Sequence, residues 1–119
     1  MATIKQGMDE MMGVDGAMCA ALVDSASGMI LGQIGTGVDL EVAAAGNTEV
    51  VRAKLKTMKA LGLNDVIEDI LITLGKHYHI IRPMARKEGL FLYFVLDKAK
   101  SNLALARRKL LDIEGAMVV

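Results

Sequence analysis

A run of three strand-like segments in the second half of the chain constrains the fold more than any other feature. Residues 65–74 are mostly apolar, a tight turn at Gly75-Lys76 leads into residues 77–83, and residues 90–96 follow after a second turn. Every residue of that third segment is apolar, so both of its faces must be buried. A strand of this kind needs cover on both sides of its sheet. Helices are the expected cover in a chain of 119 residues.

The first half of the chain supplies two further strands and a long helix. Residues 17–23 are again apolar on both faces, and a group of turn formers joins them to a strand at residues 29–34. Asp39 is a suitable helix N-cap. The apolar spacing predicts one helix from there to Leu61, where Gly62 ends it. At about 1.5 Å per residue this helix is roughly 35 Å long, enough to cross a whole sheet.

A shorter helix is predicted at each end of the chain. Apolar side chains recur at helical spacing over residues 3–12, although Gly7 weakens this helix by about 1 kcal/mol relative to alanine. Asp97 is the expected N-cap of a final helix over residues 98–114, which carries one apolar stripe. Residues 117–119 are expected to be a loosely held tail.

These elements predict a single α+β domain over residues 1–119, built as three α/β/α layers. The element order is α-β-β-α-β-β-β-α, and the hairpins imply a five-stranded antiparallel sheet. The strands at 17–23 and 90–96 should be central neighbours. The long helix should cover one face of the sheet, and the two terminal helices the other. The side of the long helix that faces the sheet is predicted to consist of Leu40, Ala43, Val50, Val51, Met58 and Leu61.

Composition excludes several classes of function. Fourteen basic and fourteen acidic residues give no net charge, whereas nucleic-acid binding demands a basic excess. Cys19 is the single cysteine, so no internal disulfide can form and a reducing compartment is expected. No apolar run approaches the ~20 residues of a membrane-spanning helix, and residues 1–12 lack a signal-peptide core. We therefore expect a cytoplasmic protein that neither binds nucleic acid nor inserts into a membrane.

Two features predict that the chain pairs with a second copy of itself. The strand at 66–74 should lie at a sheet edge, where its apolar stretch is an aggregation hazard unless it is covered. The long helix carries a stripe of small residues that would let another helix approach closely. Hydrophobic residues make up 53% of the chain, a surplus that a second subunit would hide. The predicted interface of this two-fold homodimer consists of Val42, Gly46, Ala53, Ala60, Ile70 and Ile72.

The chain lacks the spacing that common catalytic and cofactor motifs require. The glycines around Gly35 precede a helix, but the last position of a G-x-G-x-x-G motif would be Leu40. Glu68 and Asp69 are neighbours on a predicted strand and point to opposite faces, so they cannot act together as acid and base. Turn serines such as Ser25 have no G-x-S-x-G setting. We therefore predict no catalytic residue, no cofactor and no enzyme activity.

His77 and His79 alternate along a predicted strand and therefore face the same way. Two imidazoles could begin a metal site, but zinc sites have three or four protein ligands, and Cys19 is expected inside another strand. A partly exposed strand face is the favoured interpretation, so no metal is predicted.

One side of the long helix is polar and presents a basic stripe. Arg52, Lys56 and Lys59 recur at helical spacing, with Glu49 beside them. A solvated helix face is the simpler interpretation. The alternative is a docking surface for a partner protein, which a dimer would present twice. The candidate partner-binding residues are Glu49, Arg52, Lys56 and Lys59.

The element order, the length and the local sequence resemble the roadblock family, which includes dynein light chains and bacterial and archaeal regulators of Ras-like GTPases. The resemblance spans residues 16–114 and is carried by the strand that begins at Gly16-Ala17, by Ser27-Gly28, by the long helix and by the three later strands. It implies a three-layer domain that homodimerises through the long helix and the adjacent edge strand. It also implies a partner protein, often a small GTPase, and it transfers no catalytic residue.

Three functions follow as hypotheses. The first is a homodimeric regulator of a small Ras-like GTPase, either an activator or a scaffold. The second is a structural adaptor of a larger assembly with no effect on nucleotide turnover. The third is a small-ligand sensor with a pocket between sheet and helix, against which the scarcity of aromatic residues counts.

Overall fold

The structure of the protein, a computed structural model, describes residues 1–119. It contains three helices and five strands in the predicted order. The elements are α1 (Ile4–Met12), β1 (Ala17–Asp24), β2 (Met29–Gly35), α2 (Leu40–Ala60), β3 (Ile70–Thr73), β4 (His77–Pro83), β5 (Leu90–Asp97) and α3 (Leu103–Ala116). None of the helices has both the length and the apolar content that crossing a bilayer requires.

The five strands form one antiparallel sheet in the order β2-β1-β5-β4-β3. β1 and β5 are neighbours, as predicted, and Ala21 pairs with Tyr93 near the middle of their ladder. The central side chains of both strands are buried, because strands that are apolar on both faces are stable only in the interior of a covered sheet. β2 and β3 are left as the two edges.

Alternate side chains of β5 enter two separate hydrophobic cores. Leu92 and Phe94 point toward α1 and α3, whereas Phe91 and Tyr93 point toward α2. Burying one such side chain stabilises the fold by about 1.5–3 kcal/mol. The predicted three-layer arrangement is therefore confirmed, with α2 on one face of the sheet and the two terminal helices on the other.

The edge strand is shorter than the sequence predicts. β3 begins at Ile70, so residues 66–69 lie outside the sheet. Their antiparallel continuation would meet Arg82 and Pro83 at the end of β4, and a proline has no N–H with which to extend the ladder. The Arg82 side chain binds this segment instead, because its guanidinium donates a hydrogen bond to the Glu68 carbonyl at 3.1 Å.

The last helix starts later than predicted. Asp97 does not cap it, because its carboxylate accepts a hydrogen bond from the Ala99 N–H at 3.0 Å and holds a turn there. The N-cap is Asn102, whose side-chain oxygen accepts from the Leu105 N–H at 3.0 Å. Both residue types are good caps, and the turn at Asp97 leaves Asn102 to begin the helix.

The buried side of α2 is rotated from the predicted one. Ala44 and Thr48 are buried although they were not expected to be. Thr48 remains satisfied because its hydroxyl donates to the Ala44 carbonyl at 2.7 Å. The residues predicted for this side divide into buried Leu40, Val51 and Met58, half-buried Ala43 and Val50, and exposed Leu61.

The C-terminal tail is held rather than loose. Ala2 and Met117 form a parallel bridge, and the Val118 N–H donates to the Ala2 carbonyl at 2.7 Å. The Met117 side chain is buried and lies over Gly7 of α1, where a β-carbon would overlap it. The glycine that weakens α1 as an isolated helix therefore leaves room for the methyl group of Met117.

Gly35→Ala is expected to lower the free energy of unfolding by about 3 kcal/mol or more. Gly35 has a φ of 81°, and a β-carbon there would overlap the Met18 carbonyl oxygen. Gly62→Ala is the matched control: its φ is 69°, but no atom lies within 4 Å of its β-carbon position, so it should cost only about 1 kcal/mol. Urea denaturation measures both values. Equal losses would contradict the close approach at Gly35.

Candidate interaction surface

On the face of the sheet that α2 covers, the half formed by β1 and β2 is covered and the half nearest β3 is open. α2 packs on β1 and β2, while β3 lies at the opposite edge of the sheet. A groove of about 500 Å³ runs between Val50, Lys54 and Met58 of α2 and residues 63–70. The adjoining edge of β3 presents backbone N–H and C=O groups that no strand of this chain pairs.

The small residues predicted to form a dimer interface lie on the outer side of α2. Val42 is 68% exposed, and no atom lies within 4 Å of the position that a Gly46 β-carbon would take. Ala53 and Ala60 are also exposed. With about 3.6 residues per turn, these four residues face roughly away from the buried side of the helix.

The strand residues predicted for the interface lie on the same side of the sheet as α2. Ile70 and Ile72 are half-buried and pack against the core beneath α2. By helical geometry, Val50 and Lys54 lie between the outer stripe of α2 and the sheet, so stripe, groove and strand are continuous. We name this the α2–β3 surface; it consists of Val42, Gly46, Val50, Ala53, Lys54, Ala60, Ile70 and Ile72.

The polar side of α2 contains one anchored arginine and two unpaired lysines. The Arg52 guanidinium donates to the Ala26 carbonyl in the β1–β2 turn at 2.8 Å and lies 3.5 Å from the Glu49 carboxylate. Lys56 and Lys59 are exposed and form no ion pair. The four candidate partner-binding residues thus share one exposed side of the helix. Of these four residues, only Lys56 and Lys59 are cations that form no ion pair and no side-chain hydrogen bond within the chain.

His77 and His79 lie on the α2 side of β4, and their rings stack with centroids 5.7 Å apart. His79 Nδ1 and the Tyr93 hydroxyl are hydrogen-bonded at 3.0 Å. The Asn47 side chain of α2 lies near the Tyr93 hydroxyl and acts to lower its pKa. No three His, Cys, Asp or Glu side chains gather in a way that could hold a metal ion.

Burial sets the protonation states of Tyr93, His79 and Cys19, which lie close together on the α2 side of the sheet. It raises the pKa of Tyr93 to about 12, with a smaller contribution from nearby Cys19 and an opposing one from Asn47. Burial, assisted by the neighbouring His77, lowers the pKa of His79. Burial also raises the pKa of the Cys19 thiol. At neutral pH all three groups are therefore uncharged, and the cluster is a polar part of the core.

Two arginines fasten the segment that precedes β3. Arg82 of β4 pairs with Glu114 of α3 at 2.8 Å, with side chains only 13% and 4% exposed. Arg107 of α3 forms a bidentate pair with Asp69, in which both distances are 2.8 Å. Because Arg82 also binds the Glu68 carbonyl, α3 and β4 together position the start of the edge strand. We name this set of contacts the arginine clamp.

Comparison with known proteins identifies the fold. No family model and no curated protein matches the sequence. Among solved structures, the Roadblock/LC7 domain from Streptomyces avermitilis matches with a TM-score of 0.82 and 11% identity, over 97% of this chain and 94% of that one. The chain has the Roadblock/LC7 fold.

Two MglB structures share this Roadblock/LC7 fold. Myxococcus xanthus MglB matches with a TM-score of 0.79 and 18% identity, over 92% of this chain and 86% of that one. An MglB with a tetrameric arrangement matches with a TM-score of 0.71 and 17% identity, over 93% of this chain and 87% of that one. The architecture predicted from the roadblock resemblance is therefore confirmed over nearly the whole chain.

The sequence by itself does not reveal the arginine clamp. The sequence pattern assigns no partner to Arg82 or to Arg107. One signal was available: Glu114 falls on the apolar side of α3, beside Leu110. An acidic residue at such a position needs a buried cationic partner.

Glu114→Ala is expected to lower the free energy of unfolding by about 3 kcal/mol, because Arg82 would stay buried without its counter-charge. Asp112→Ala on the same helix is the matched control. It removes an exposed pair with Arg108 at 3.6 Å and should change stability by less than about 1 kcal/mol. Thermal denaturation compares the two. A loss for Glu114→Ala no greater than the control would contradict the importance of the clamp.

Proposed function

We propose that the protein is a homodimeric regulator of a small Ras-like GTPase that acts through protein–protein contact, as an activator of hydrolysis or as a scaffold. The observation that carries this proposal is the similarity of nearly the whole chain to Roadblock/LC7 and MglB structures. It agrees with the resemblance found in the sequence, which implies a GTPase partner. We place the protein in the cytoplasm, where such a partner would be found.

The second copy is proposed to cover the α2–β3 surface. Two-fold related α2 helices would pack through Gly46 and Ala53, where small side chains allow the helix axes to come close. The free edge of β3 would pair with its counterpart and extend the sheet through both subunits. Ile70 and Ile72, half-buried in one copy, would then be covered. The tetrameric arrangement of one MglB supports self-association within this fold.

The GTPase is proposed to bind the polar side of α2. Around the helix axis Lys59 lies far from Gly46 and Ala53, whereas Lys56 lies one turn from Ala53 and from Ala60, so the partner would contact α2 at the margin of the dimer interface and beyond it. Glu49 and Arg52 lie beside the two lysines, joined by their own ion pair. A two-fold dimer would present this surface twice, which suits either one partner bridging both copies or one partner on each.

A regulator of this kind requires no catalytic side chain of its own. Binding one nucleotide state of the GTPase more tightly than the other shifts the equilibrium between them by the difference in binding free energy. A difference of about 1.4 kcal/mol changes the ratio of the two states tenfold. The GTPase would then supply the reacting groups, and this protein would select their arrangement.

The decisive experiment uses the Ras-like GTPase whose gene lies nearest to that of this protein. Complex formation, GTP hydrolysis and nucleotide exchange are measured with the GTPase loaded with GTP or GDP. A complex that changes either rate supports regulation. A complex with unchanged rates favours the adaptor hypothesis. Without a complex and without a change in rate, the proposal fails for that GTPase.

Gly46→Leu is expected to give a folded monomer, because a leucine side chain would block the approach of the second helix. The single copy tolerates it, since nothing lies within 4 Å of the Gly46 β-carbon position and leucine favours helix by up to about 1 kcal/mol over glycine. Ala104→Leu, at an exposed position of α3, is the control and should remain dimeric. Light scattering gives the masses. An unchanged dimer of Gly46→Leu would refute the interface.

Reversing the charge of both lysines, Lys56→Glu with Lys59→Glu, is expected to weaken GTPase binding by about tenfold or more while the dimer persists. Lys5→Glu on α1 places the same kind of change on the opposite face of the sheet and should have little effect. Isothermal titration calorimetry measures both affinities. If the double variant binds as tightly as the unchanged protein, the polar side of α2 is not the contact surface.

A further inference from the structure

The His79 ring has one nitrogen without a hydrogen-bond partner. Nδ1 is bonded to the Tyr93 hydroxyl at 3.0 Å, whereas Nε2 is buried and unpaired. A neutral ring accommodates this arrangement with the proton on Nδ1, because Nε2 is then only an unused acceptor. An imidazolium would have to bury an N–H donor and a positive charge at the same place, which is far more costly.

The groups around His79 offer no compensation for a positive charge. Asp97 is the nearest anion by strand position, but its cross-strand partner is His77 rather than His79. From β3 the neighbour is the apolar Ile72. The titratable or charged groups that share the α2 side of the sheet with His79 are His77 on β4, Tyr93 and Asp97 on β5 and Cys19 on β1, and Lys54 of α2 lines the groove beside Ile70.

A protonated His79 therefore has to turn toward water. The ring is half-buried and lies on the α2 side of the sheet beside Ile72, which belongs to the α2–β3 surface. A second copy on this surface would cover the neighbouring Ile72 and reduce the access of the His79 ring to water. Protonation of His79 and binding of the second copy thus compete for the same space.

We propose that His79 makes dimerisation sensitive to pH: the second copy binds the α2–β3 surface while His79 is neutral and is released when His79 takes up a proton. This inference rests on the dimer put forward under the proposed function and adds a means of regulating it. The ligand in question is a second copy of this chain.

The direction of the pH dependence follows from linkage. Burial already lowers the pKa of His79 in the single copy, and covering the surface removes its remaining access to water and lowers that pKa further. The monomer therefore binds the proton more tightly than the dimer does. The dimer is favoured above the pKa of the monomer and is lost as the pH falls through it. Both copies contribute one His79, so the effect occurs twice.

The experiment measures the dimer dissociation constant by analytical ultracentrifugation at about pH 7.5 and about pH 5.5. Circular dichroism confirms that the chain stays folded at both. The constant is expected to rise at the lower pH, and by at least about tenfold once the pH lies half a unit below the pKa of His79 in the monomer, because each of the two sites then contributes about fourfold. His79→Phe keeps a ring of similar shape but cannot titrate, so its constant should be independent of pH. His77→Gln should still dissociate on acidification.

Three results would contradict the proposal. A wild-type dimer that is equally tight at both values overturns the role of His79 and leaves the dimer standing. A monomer at both values overturns the dimer itself and the inference with it. Acid dissociation of His79→Phe equal to that of the wild type also refutes the inference.

A second measurement needs no variant at position 79. NMR titration of the imidazole protons, assigned with His77→Gln, gives the pKa of His79 at low and high protein concentration. A lower pKa at high concentration supports the proposal. The same pKa at both concentrations, across a range in which the dimer forms, overturns it.

Discussion

Everything in this fold depends on burying both faces of β5. Its side chains alternate between two cores, one beneath α2 and one beneath α1 and α3, and neither core could form without the helix layer on its own side. β1, also buried on both faces, is its neighbour. The remaining strands and helices take the positions that complete these two covers, because an exposed face of β5 would leave large apolar side chains in water.

The cover supplied by α2 is uneven, and the proposed dimer interface follows from that unevenness. α2 packs toward β1 and β2, so the far side of the same face ends in a groove and a free strand edge. An apolar groove beside unpaired backbone groups is suited to a second protein chain rather than to a small ligand. This chain thus has two open surfaces on α2, one beside the groove and one on the polar side of the helix. One is suited to self-association, the other to a charged partner.

The position of the free edge is set by side chains far from it in sequence. The arginine clamp joins α3 and β4 to the residues just before Ile70. Arg82 and Glu114 are almost fully buried, so the pair stabilises the structure only while both members are present. The edge strand therefore starts where two guanidinium groups hold the chain, and not where its apolar pattern begins. This explains why residues 66–69 look like a strand in sequence yet lie outside the sheet.

The sequence by itself determined the layers, the order of the elements and the central pair of strands, because apolar periodicity records which faces must be buried. It also placed Gly46 and Lys56 on the side of α2 that faces away from the core. Only the tertiary structure decided that Asp97 forms a turn while Asn102 caps α3, that Arg52 is anchored to the β1–β2 turn, and that His79 has an unpaired nitrogen. Each of these features depends on which polar groups come into contact in the folded chain. The periodicity of apolar residues carries no information about contacts between residues that are distant in sequence.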